Sequence, residues 1–501
     1  MIDQLHHLSN TRPDAPFIFF EDQVLNFSTV DDVARRGGAW LTSLGIREGD
    51  HVMLAISNRP LFLFCWFSLA ACGAVAVPVS HDTFGDPLLY MATQSESKMI
   101  LTESAEKDRI VQTLSVTLES TAIEVISFDG ENSFLQKIAN FVPINIRNPR
   151  AGDPLAILYT SGTTGLPKGV VIPVESYRAA GKSIVNAIGV TEQDRILTFL
   201  PLHHANPQMY SLMSCLTVGC SMALVSRFSA SRFLEQVQRY SATGFTYVGT
   251  VLSILAKEIT QDVSSTLRFC VGGGAPRAVW QELAPRLGVH VHELYGMTET
   301  GGLVTVNTRK RHRFGSVGPV RDDFDVVVLD DEDNILSQGV GEIAVRPRQA
   351  HIMTSGYFKK PDETVKASSN FWFHTGDLGR FDEDGFLYFE GRKKELIRRA
   401  GEMISPVTIE LAALKHECVA DCAAVGVPDP IMEEEIKLVV VVRDTLKPTD
   451  LASFLAQSLP KHMLPRYVEF MTQIPKTPTQ KVQRFKLTQM SDDTYDLKSK
   501  S

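Results

Sequence analysis

The chain has 501 residues, of which 44% are hydrophobic and 22% are charged. This length fits two to four domains and excludes a peptide-sized scaffold. The composition is that of an ordinary globular protein and excludes a fibrous or disordered one. The net charge of −8 excludes a global basic surplus that would attract the phosphates of nucleic acid or of anionic lipid. We therefore expect no nucleic acid partner and no stable insertion into a membrane.

The cysteines and the N-terminal segment predict a cytoplasmic protein. Seven cysteines without a Cys-x-x-Cys pair favour reduced thiols over a disulfide framework. The N-terminal segment carries Asp3 where a secretory signal has basic residues, and no apolar core follows. The stretch from Leu61 to Val79 is uncharged for 19 residues, but Gly73 interrupts it. We therefore predict a buried helix that turns into a buried strand, rather than a membrane span.

In chain order, apolar runs of strand length alternate with helix-length segments through about the first 290 residues. This alternation predicts parallel sheets covered by helices. The clearest runs are 52–55, 74–79, 155–159, 196–199, 221–225 and 269–271. From about residue 315 the pattern changes to hairpins, at 324–345 and at the turn Asp384-Gly385. The charged run 391–395 separates this body from a smaller helix–strand pattern, so we place a domain boundary there, between residues 1–390 and residues 391–501.

The most informative motif is LYTSGTTGLPKGV at residues 158–170, directly after an apolar strand. Glycines let backbone N–H groups approach anionic oxygens, hydroxyls add donors and Lys168 adds a positive charge. The motif is not a Walker A loop, because no Gly-Lys-Ser/Thr ends it and Pro167 precedes the lysine. It predicts a phosphate-binding loop formed by Thr160, Ser161, Gly162, Thr163, Thr164, Gly165 and Lys168.

This loop resembles the signature of the adenylate-forming superfamily, which includes acyl-CoA synthetases, adenylation domains of peptide synthetases and beetle luciferases. The resemblance covers nearly the whole chain, because further motifs follow in the order and spacing of the superfamily: PLHH at 201–204, GGGAP at 272–276, YGMTE at 295–299, HTGD at 374–377, GRKK at 391–394 and PKTPTQKVQR at 475–484. It implies an α/β fold with a large N-terminal domain of doubly wound, mostly parallel sheets and a barrel-like β subdomain. It also implies a small, mobile α+β C-terminal cap that turns about a hinge near Lys394.

The resemblance implies an ATP-dependent carboxylate–CoA ligase with ATP, Mg²⁺ and CoA as cofactors. A carboxylate is a poor acyl donor, so the site has to neutralise two anions and align the displacement of pyrophosphate. The roles that the resemblance assigns are adenine binding by Gly273, Gly274, Ala275, Pro276, Tyr295 and Gly296, α-phosphate binding by Thr298, Mg²⁺ ligation by Glu299, ribose binding by Asp377, ribose or phosphate binding by Arg392, adenylation by Lys481, passage of the pantetheine arm at Gly401 and gating of the carboxylate pocket by His204.

One departure from the superfamily pattern and three alternative functions remain open. Gln480 stands where the superfamily usually has glycine before the catalytic lysine. An alternative enzyme loads a carrier-protein thiol or transfers the acyl group to an amine, and a more distant one is a weakened nucleotide-binding regulator. A luciferase-type oxygenase is formally compatible with the same motifs.

The segment after His204 bears on the acid that is activated. Residues 205–210 contain no carboxylate to pair an α-ammonium group, which disfavours an amino-acid substrate. We expect a moderately polar pocket lined by Asn206, Gln208, Tyr210, Tyr247 and Gly249. The run 227–233 also resembles carnitine- or crotonobetaine-type ligases, which favours small acids. The adjacent rings of His203 and His204 are expected to point apart and to form no metal site.

Overall fold

The computed structural model describes residues 1–115, 123–160, 166–400, 402–476 and 482–498, with the backbone alone for residues 402 and 403. The chain divides into two units. The first unit comprises Met1–Val326, Val345–Phe373 and Gly385–Leu387, and the second comprises Val327–Ala344, His374–Asp384 and Tyr388–Ser501. The predicted boundary between residues 390 and 391 stays a prediction.

The strands of the first unit are, in chain order, β1 (Pro16–Phe20), β2 (Gln23–Asn26), β3 (His51–Ala55), β4 (Val75–Pro78), β5 (Met99–Glu103), β6 (Glu124–Phe128), β7 (Pro154–Thr160), β8 (Lys168–Pro173), β9 (Arg195–Thr198), β10 (Ser221–Leu224), β11 (Gly244–Val248), β12 (Phe269–Gly273), β13 (His290–Tyr295), β14 (Thr305–Val306) and β15 (Gly318–Pro319). Four strands follow that the division into units cuts: β16 (Phe324–Leu329), β17 (Gly341–Pro347), β18 (Phe373–Phe381) and β19 (Phe386–Arg392). The second unit continues with β20 (Ile397–Arg399), β21 (Glu402–Ile404), β22 (Val419–Asp429), β23 (Glu433–Val442), β24 (Tyr467–Phe470) and β25 (Tyr495–Asp496).

The α-helices of the first unit are α1 (Ile2–Thr11), α2 (Phe27–Ser43), α3 (Pro60–Cys72), α4 (Gly85–Gln94), α5 (Ser104–Ser115), α6 (Glu131–Ile138), α7 (Val174–Ile188), α8 (Met213–Val218), α9 (Phe233–Tyr240), α10 (Gly249–Glu258), α11 (Arg277–Leu287) and α12 (Pro361–Lys366). The second unit adds α13 (Pro406–Ala413) and α14 (Pro448–Leu455). A π-helical turn spans Pro207–Leu212, and 3₁₀ turns span Thr298–Thr300, Ser369–Phe371, Lys393–Glu395, Lys461–Met463 and Arg484–Lys486.

Two mostly parallel sheets form the body of the first unit. One has the order β14-β13-β12-β11-β9-β10-β1-β2, and the other has the order β6-β5-β3-β4-β7-β8. In the first sheet only the edge pairs β1–β2 and β13–β14 are antiparallel, and in the second only β7–β8 is. The predicted α/β class is therefore confirmed. The strands β15 to β19 form an open five-stranded sheet, and no closed barrel is found in the part of the chain that the structure describes.

The segment from Leu61 to Val79 folds as its sequence predicts. Helix α3 is apolar all round, and every residue from Pro60 to Ala71 is buried, as expected of a helix enclosed by protein. Gly73 ends the helix with φ of 79°, a left-handed conformation that glycine adopts without strain. Strand β4 follows directly. Among the helices of the described ranges, none is long and apolar enough to cross a bilayer.

The second unit has its own core. The strands β20 to β25 form a sheet in which β23 pairs with both β22 and β24. Helices α13 and α14 contribute Ile409, Leu451 and Leu455 to an apolar cluster with the sheet. The smaller α+β domain that the sequence predicts is thus present.

Candidate active site

The strand β7 and the strand β8 bring the two described ends of the phosphate loop together. In their antiparallel register Thr160 pairs with Lys168, so residues 161–167 connect two neighbouring positions of the sheet. Ser161, Gly162, Thr163, Thr164 and Gly165 lie outside the described residues. The hydroxyl of Tyr90 donates to the carbonyl of Pro167 at 3.1 Å, which fixes the end of the loop before Lys168.

Glu299 is a buried carboxylate with hydroxyl donors from two distant parts of the chain. The residue is 5% exposed. Its Oε1 atom accepts a hydrogen bond from the Oγ1 hydroxyl of Thr160 at 3.4 Å and one from the phenol of Tyr357 at 3.2 Å. Burial and the neighbouring carboxylate raise the pKa of Tyr357, so the phenol keeps its proton at neutral pH. Both of these hydrogen-bond donors are therefore neutral.

Lys168 lies beside the same tyrosine. Its ammonium group is 4.8 Å from the ring centroid of Tyr357 and forms an ion pair with Glu363. Lys168 lowers the pKa of Glu363. Lys168, the proposed phosphate-binding cation, thus lies next to Tyr357, which donates a hydrogen bond to Glu299. Glu363 is its counter-ion.

The loop of residues 272–276 follows β12 and lies over a buried carboxylate, Glu293. The Oε1 atom of Glu293 accepts the backbone N–H of Gly274 at 2.5 Å and that of Ala275 at 3.1 Å. The phenol of Tyr247 donates to Oε2. The predicted adenine-binding loop, Gly273, Gly274, Ala275 and Pro276, is therefore attached to the neighbouring strands β11 and β13.

The motif at residues 295–299 begins at the carboxyl end of β13 and enters a 3₁₀ turn. Tyr295 is the last strand residue and is 6% exposed, and Gly296 follows it. Thr298 is half-buried and starts the 3₁₀ turn, and its carbonyl accepts the N–H of Gly301 at 3.1 Å. The structure therefore places Thr298 and Glu299 at the end of a parallel strand, where open α/β sheets bind ligands.

The two adjacent histidines do not point apart, so that prediction was wrong. The ring centroids of His203 and His204 are 4.0 Å apart, with an interplanar angle of 51°. The backbone N–H of His204 donates to the carbonyl of Pro201, and this tight turn brings both rings to one side. Burial and the neighbouring His204 lower the pKa of His203 well below its usual range, so His203 is neutral at pH 7.

The polar side chains that were expected to line the acyl pocket are largely used inside the protein. Gln208 is fully buried, accepts a hydrogen bond from the phenol of Tyr177 and donates to the carbonyl of Leu202. Tyr210 donates to the carbonyl of Gly302 at 2.9 Å. Tyr247 is fully buried against Glu293, as described above. Of the five expected residues, Gln208, Tyr210 and Tyr247 are therefore buried, whereas Asn206 and Gly249 are partly exposed.

In the second unit, Asp377 and Arg392 form an ion pair. The Nε atom of Arg392 lies 3.3 Å from Oδ1 of Asp377, and Asp377 is 5% exposed. The preceding Gly376 donates its N–H to Oε1 of Glu342 at 3.0 Å, while Oε2 of Glu342 lies 3.3 Å from the ammonium group of Lys393. Glu342 thus holds the backbone beside Asp377 and the cation beside Arg392.

The C-terminal lysine motif is anchored on both sides of Lys481, although Lys481 itself and Gly401 lie outside the described residues. Lys476 and Val482 form an isolated antiparallel bridge, and the ammonium group of Lys476 lies 2.5 Å from Oδ2 of Asp421. Arg484 contributes a second set of contacts. Its guanidinium group forms ion pairs with Glu395 at 3.1 Å and with Glu410, and donates to the carbonyl of Ala424.

Comparison with known proteins decides the family. Residues 5–358 match the AMP-binding enzyme family, and residues 408–481 match the AMP-binding enzyme C-terminal domain. The chain belongs to the AMP-binding enzyme family. Crotonobetaine/carnitine–CoA ligase of Salmonella typhimurium (strain LT2) is 30% identical to this AMP-binding enzyme over 475 residues, which cover 91% of this chain and 92% of that protein.

Solved structures give the same result for the fold. MatB of Rhodopseudomonas palustris bound to ATP superposes with a TM-score of 0.88 at 25% identity, covering 97% of this chain and 98% of that one. O-succinylbenzoate CoA synthetase of Bacillus subtilis in complex with ATP and a magnesium ion gives 0.87 at 25% identity, covering 97% and 99%. The AMP-binding enzyme described here is therefore an AMP-forming acid–thiol ligase, at family level a carboxylate–CoA ligase, and its cofactors are ATP, Mg²⁺ and CoA. The predicted superfamily is confirmed.

The residues of the first unit fit a Mg²⁺–nucleotide. Glu299 offers a carboxylate, and Thr160 offers a hydroxyl oxygen within 3.4 Å of it, which are the hard oxygen donors that Mg²⁺ takes. No group of three or more His, Cys, Asp or Glu side chains suited to a metal ion occurs within the described ranges. A site with one carboxylate suits Mg²⁺, which keeps several waters and takes phosphate oxygens from the nucleotide.

Four residues with clear structural roles at these motifs were missed from the sequence: Tyr357, Glu293, Glu342 and Arg484. Three of them lie outside the recognised motifs or contribute through a partner far along the chain. Tyr357 is 58 residues from Glu299 in sequence, for example. Arg484 could have been identified from the sequence, because it is the last residue of the recognised lysine motif.

Proposed function

We propose that this AMP-binding enzyme activates a small carboxylic acid in two steps at the motifs described above. In the first step a carboxylate oxygen attacks the α-phosphorus of ATP, the bond to pyrophosphate breaks, and an acyl-adenylate forms. In the second step the thiol sulfur of CoA attacks the acyl carbon, the bond to AMP breaks, and the thiol proton is released. The observation that carries the proposal is the buried Glu299 carboxylate, held by Thr160 and Tyr357 at the end of the phosphate loop.

The first step places two anions next to each other, so positive charge and hydrogen-bond donors have to offset their repulsion. Glu299 would hold Mg²⁺, which neutralises phosphate charge when it is bound. Lys168 supplies a further cation, and Thr298 a hydroxyl donor for the α-phosphate. We assign the adenylation step itself to Lys481, whose charge offsets the negative charge that develops between the carboxylate and the phosphate.

Nucleoside binding is assigned to both units. In the first unit, Tyr295, Gly296 and the loop of residues 273–276 would contact adenine. In the second unit, Asp377 would accept hydrogen bonds from the ribose hydroxyls, a task that suits a carboxylate with two acceptor oxygens. Arg392 would reach ribose or phosphate, in which case its ion pair with Asp377 keeps the guanidinium group in place before the nucleotide binds.

The acceptor step is assigned to the cap. We propose that residues 391–501 turn about the hinge at Lys394, that Gly401 then lets the pantetheine arm pass close to the backbone, and that His204 gates the carboxylate pocket. Lys394 is exposed in a 3₁₀ turn between Lys393 and Glu395, whose side chains are both in ion pairs. Lys394 is exposed, so its backbone angles can change when the cap turns.

A cationic pocket of the first unit favours CoA as the acceptor. Arg227, Arg232 and Arg239 line a cavity of about 310 Å³ that opens next to the end of β10. Arg232 pairs with Glu235 and Arg239 pairs with Asp22. No ion pair engages Arg227 among the residues that the structure describes. CoA carries a 3′-phosphate and a diphosphate, so we assign Arg227 to one of these phosphate groups.

The acid is assigned to the small carboxylates that lack an α-amine. The relative from Salmonella typhimurium is named for crotonobetaine and carnitine, and the pocket segment of this chain carries no carboxylate for an ammonium group. All seven cysteines are free thiols, which suits the cytoplasm as the cellular location.

ATP–pyrophosphate exchange with a panel of acids tests the first step. The panel contains crotonobetaine, carnitine, o-succinylbenzoate, anthranilate and short straight-chain acids. We expect exchange that depends on one class of these acids and on Mg²⁺. Absence of exchange with every acid would leave only nucleotide binding and contradict the proposal.

The acceptor is tested with CoA, 3′-dephospho-CoA and a phosphopantetheinylated carrier protein. We expect turnover with CoA. The change Arg227→Gln should raise the KM for CoA about 10-fold, with little effect on pyrophosphate exchange. The control Arg150→Gln removes a cation whose side chain is 75% exposed and should leave that KM unchanged. If Arg227 binds the 3′-phosphate, its removal will have no effect with dephospho-CoA. Turnover with the carrier protein alone would replace CoA as the assigned acceptor.

A further inference from the structure

Glu293 is a buried carboxylate to which the two-step reaction assigns no role. It stands on β13, two residues before Tyr295, and is 5% exposed. We propose that Glu293 is a positioning residue that fixes the backbone of the loop 272–276 for nucleotide binding. This inference rests on the proposed function of that loop.

The strand register brings the three parts of this arrangement side by side. Gly272 of β12 pairs with Tyr247 of β11 on one side and with Glu293 of β13 on the other. Neighbouring strands lie about 4.8 Å apart, so Tyr247 and Glu293 are separated by two strand spacings. Their side chains meet across the middle strand, where the phenol donates to Oε2 of Glu293.

Gly272 makes this crossing possible. A Cβ atom at this position would lie 2.0 Å from the carbonyl oxygen of Tyr247 and 3.0 Å from an atom of its ring. Any other residue would therefore displace the tyrosine. The first glycine of the GGGAP motif is thus required by the Tyr247–Glu293 contact in this structure.

The carboxylate orients two successive peptide groups of the loop. Oε1 of Glu293 accepts the N–H of Gly274 at 2.5 Å, and both carboxylate oxygens lie within 3.2 Å of the amide nitrogen of Ala275. In a planar trans peptide the N–H and the C=O point in opposite directions. Because these N–H groups face Glu293, the carbonyl groups of Gly273 and Gly274 are directed away from it. Glu293 therefore sets which backbone atoms the loop presents on its other side.

The strength of these hydrogen bonds depends on whether the carboxyl group of Glu293 is protonated, because the titratable groups around it stay neutral. Burial raises the pKa of Glu293 to about 7. Tyr247 on β11 and Cys270 on β12 face it, and burial raises the pKa of both well above their usual values, so both remain neutral. An ionised carboxylate accepts stronger hydrogen bonds from backbone amides than the neutral acid does. The loop should therefore be held more firmly as the pH rises through about 7.

Three variants separate a positioning role from a structural one. Glu293→Gln keeps the shape and one acceptor oxygen, whereas Glu293→Leu removes both acceptors. Asp194→Asn is the matched control, because Asp194 is a buried carboxylate at the entrance of β9 in the same sheet, bound to Arg268 and Thr243. Its hydrogen bonds join it to Thr191, Thr243 and Arg268, all of which lie outside the loop.

Hydrogen–deuterium exchange of the peptide that contains residues 272–276 reads out the loop directly. In Glu293→Leu we expect exchange of the Gly274 and Ala275 amides to rise at least about 10-fold and the Kd of ATP to rise about 10-fold. In Glu293→Gln both should stay within about 3-fold of wild type, and the pH dependence of the ATP Kd around pH 7 should be lost. Asp194→Asn should change thermal stability alone.

Unchanged exchange and affinity in Glu293→Leu would overturn the inference, as would equal effects in Asp194→Asn, since either result would mean that Glu293 serves stability only. These readouts do not require turnover. If no acid supports pyrophosphate exchange, the proposed reaction fails, while amide exchange and ATP affinity still decide the role of Glu293.

Discussion

Two sets of buried carboxylates, one in each unit of the chain, are bonded in different ways. In the first unit, Glu293 and Glu299 accept hydrogen bonds from hydroxyl groups and backbone amides at the ends of strands. In the second unit, the fully buried Glu435 forms ion pairs with Arg399 at 2.8 Å and with Lys498 at 2.7 Å. Neutral donors leave the negative charge of a carboxylate in place, whereas a buried ion pair neutralises it.

Further pairs in the second unit extend this difference. Lys437 is 2.6 Å from Glu469, and Arg466 is 2.9 Å from Asp429. The small apolar cluster of this unit is thus surrounded by ion pairs that join its strands. We propose that Glu293 and Glu299 serve nucleotide binding, as the buried Asp377 of the second unit does. The carboxylates of Glu435 and Glu469 instead join parts of the second unit through ion pairs, as Asp194 does in the first unit through Arg268.

The largest effect is expected from Lys481→Ala. Removing the cation that offsets the developing charge should lower adenylation by about 10³-fold, while thioester formation from supplied acyl-adenylate changes less than about 10-fold. Single-turnover measurements of the two half-reactions check this. The control Lys486→Ala removes a lysine that lies two residues after the end of the motif, and it should leave both rates near wild type. An equal loss in both half-reactions would show that Lys481 is structural or serves both steps.

The change Glu299→Gln tests whether this carboxylate of the first unit is a ligand of Mg²⁺. The amide keeps the shape but removes the charge, so the Mg²⁺ concentration for half-maximal pyrophosphate exchange should rise at least about 10-fold, with little change in thermal stability. Titration with Mg²⁺ and removal of the ion by a chelator provide the measurement. Glu96→Gln removes a carboxylate whose side chain is 56% exposed and serves as the control. An unchanged Mg²⁺ dependence would exclude Glu299 as the ligand.

Stiffening the hinge should separate the two half-reactions. Lys394→Pro restricts φ, so we expect pyrophosphate exchange to remain measurable and thioester formation to fall about 10-fold or more. The acyl-adenylate should then accumulate. Lys394→Ala removes the same side chain without restricting the backbone and should behave like wild type. If the alanine variant loses thioester formation to the same degree, the side chain rather than rotation accounts for the effect.

The ion pairs of the second unit predict a stability effect without a site effect. Glu435→Gln leaves the buried guanidinium group of Arg399 without its charged partner and should lower the free energy of unfolding of this unit by about 3 kcal/mol. Limited proteolysis and denaturant titration measure the change. A loss below about 0.5 kcal/mol would mean that the ion pair is as weak as an exposed one.

The smallest effect is expected at Ala400, which has φ of 50° in the left-handed region. Ala400→Gly should relieve this strain and stabilise the second unit by about 0.5–1 kcal/mol, since the cost of left-handed alanine exceeds the entropic cost of glycine only slightly. Denaturant titration measures it. Destabilisation would show that the alanine methyl group contributes packing that outweighs the strain.

Much of the fold could be predicted because local patterns and tertiary burial agree. The run from Leu61 to Val79 has an apolar helix, a glycine at its end and a β-branched strand, and each feature indicates the same structure. The site was less predictable, since a motif names its own residues but not their partners. Gln208 shows the limit: its polarity suggested a pocket, whereas its amide is bonded to Tyr177 and Leu202 inside the protein.

The prediction that the rings of His203 and His204 point apart was wrong for a related reason. Alternation of side chains holds in an extended strand, but the hydrogen bond from His204 to Pro201 closes a turn, in which neighbouring rings lie together. The contacts of Glu293 with Gly274 and Tyr247 depend on the pairing of three strands, which no local pattern in the chain records.

The most direct test of the account is a two-stage rapid-quench experiment on the wild-type protein with a supporting acid. In the absence of CoA, ATP and Mg²⁺ should yield one equivalent each of pyrophosphate and enzyme-bound acyl-adenylate. Addition of CoA should then convert the adenylate into acyl-CoA and AMP in a single turnover. Release of pyrophosphate without an acyl-adenylate, or an adenylate that CoA does not consume, would contradict the two-step ligase.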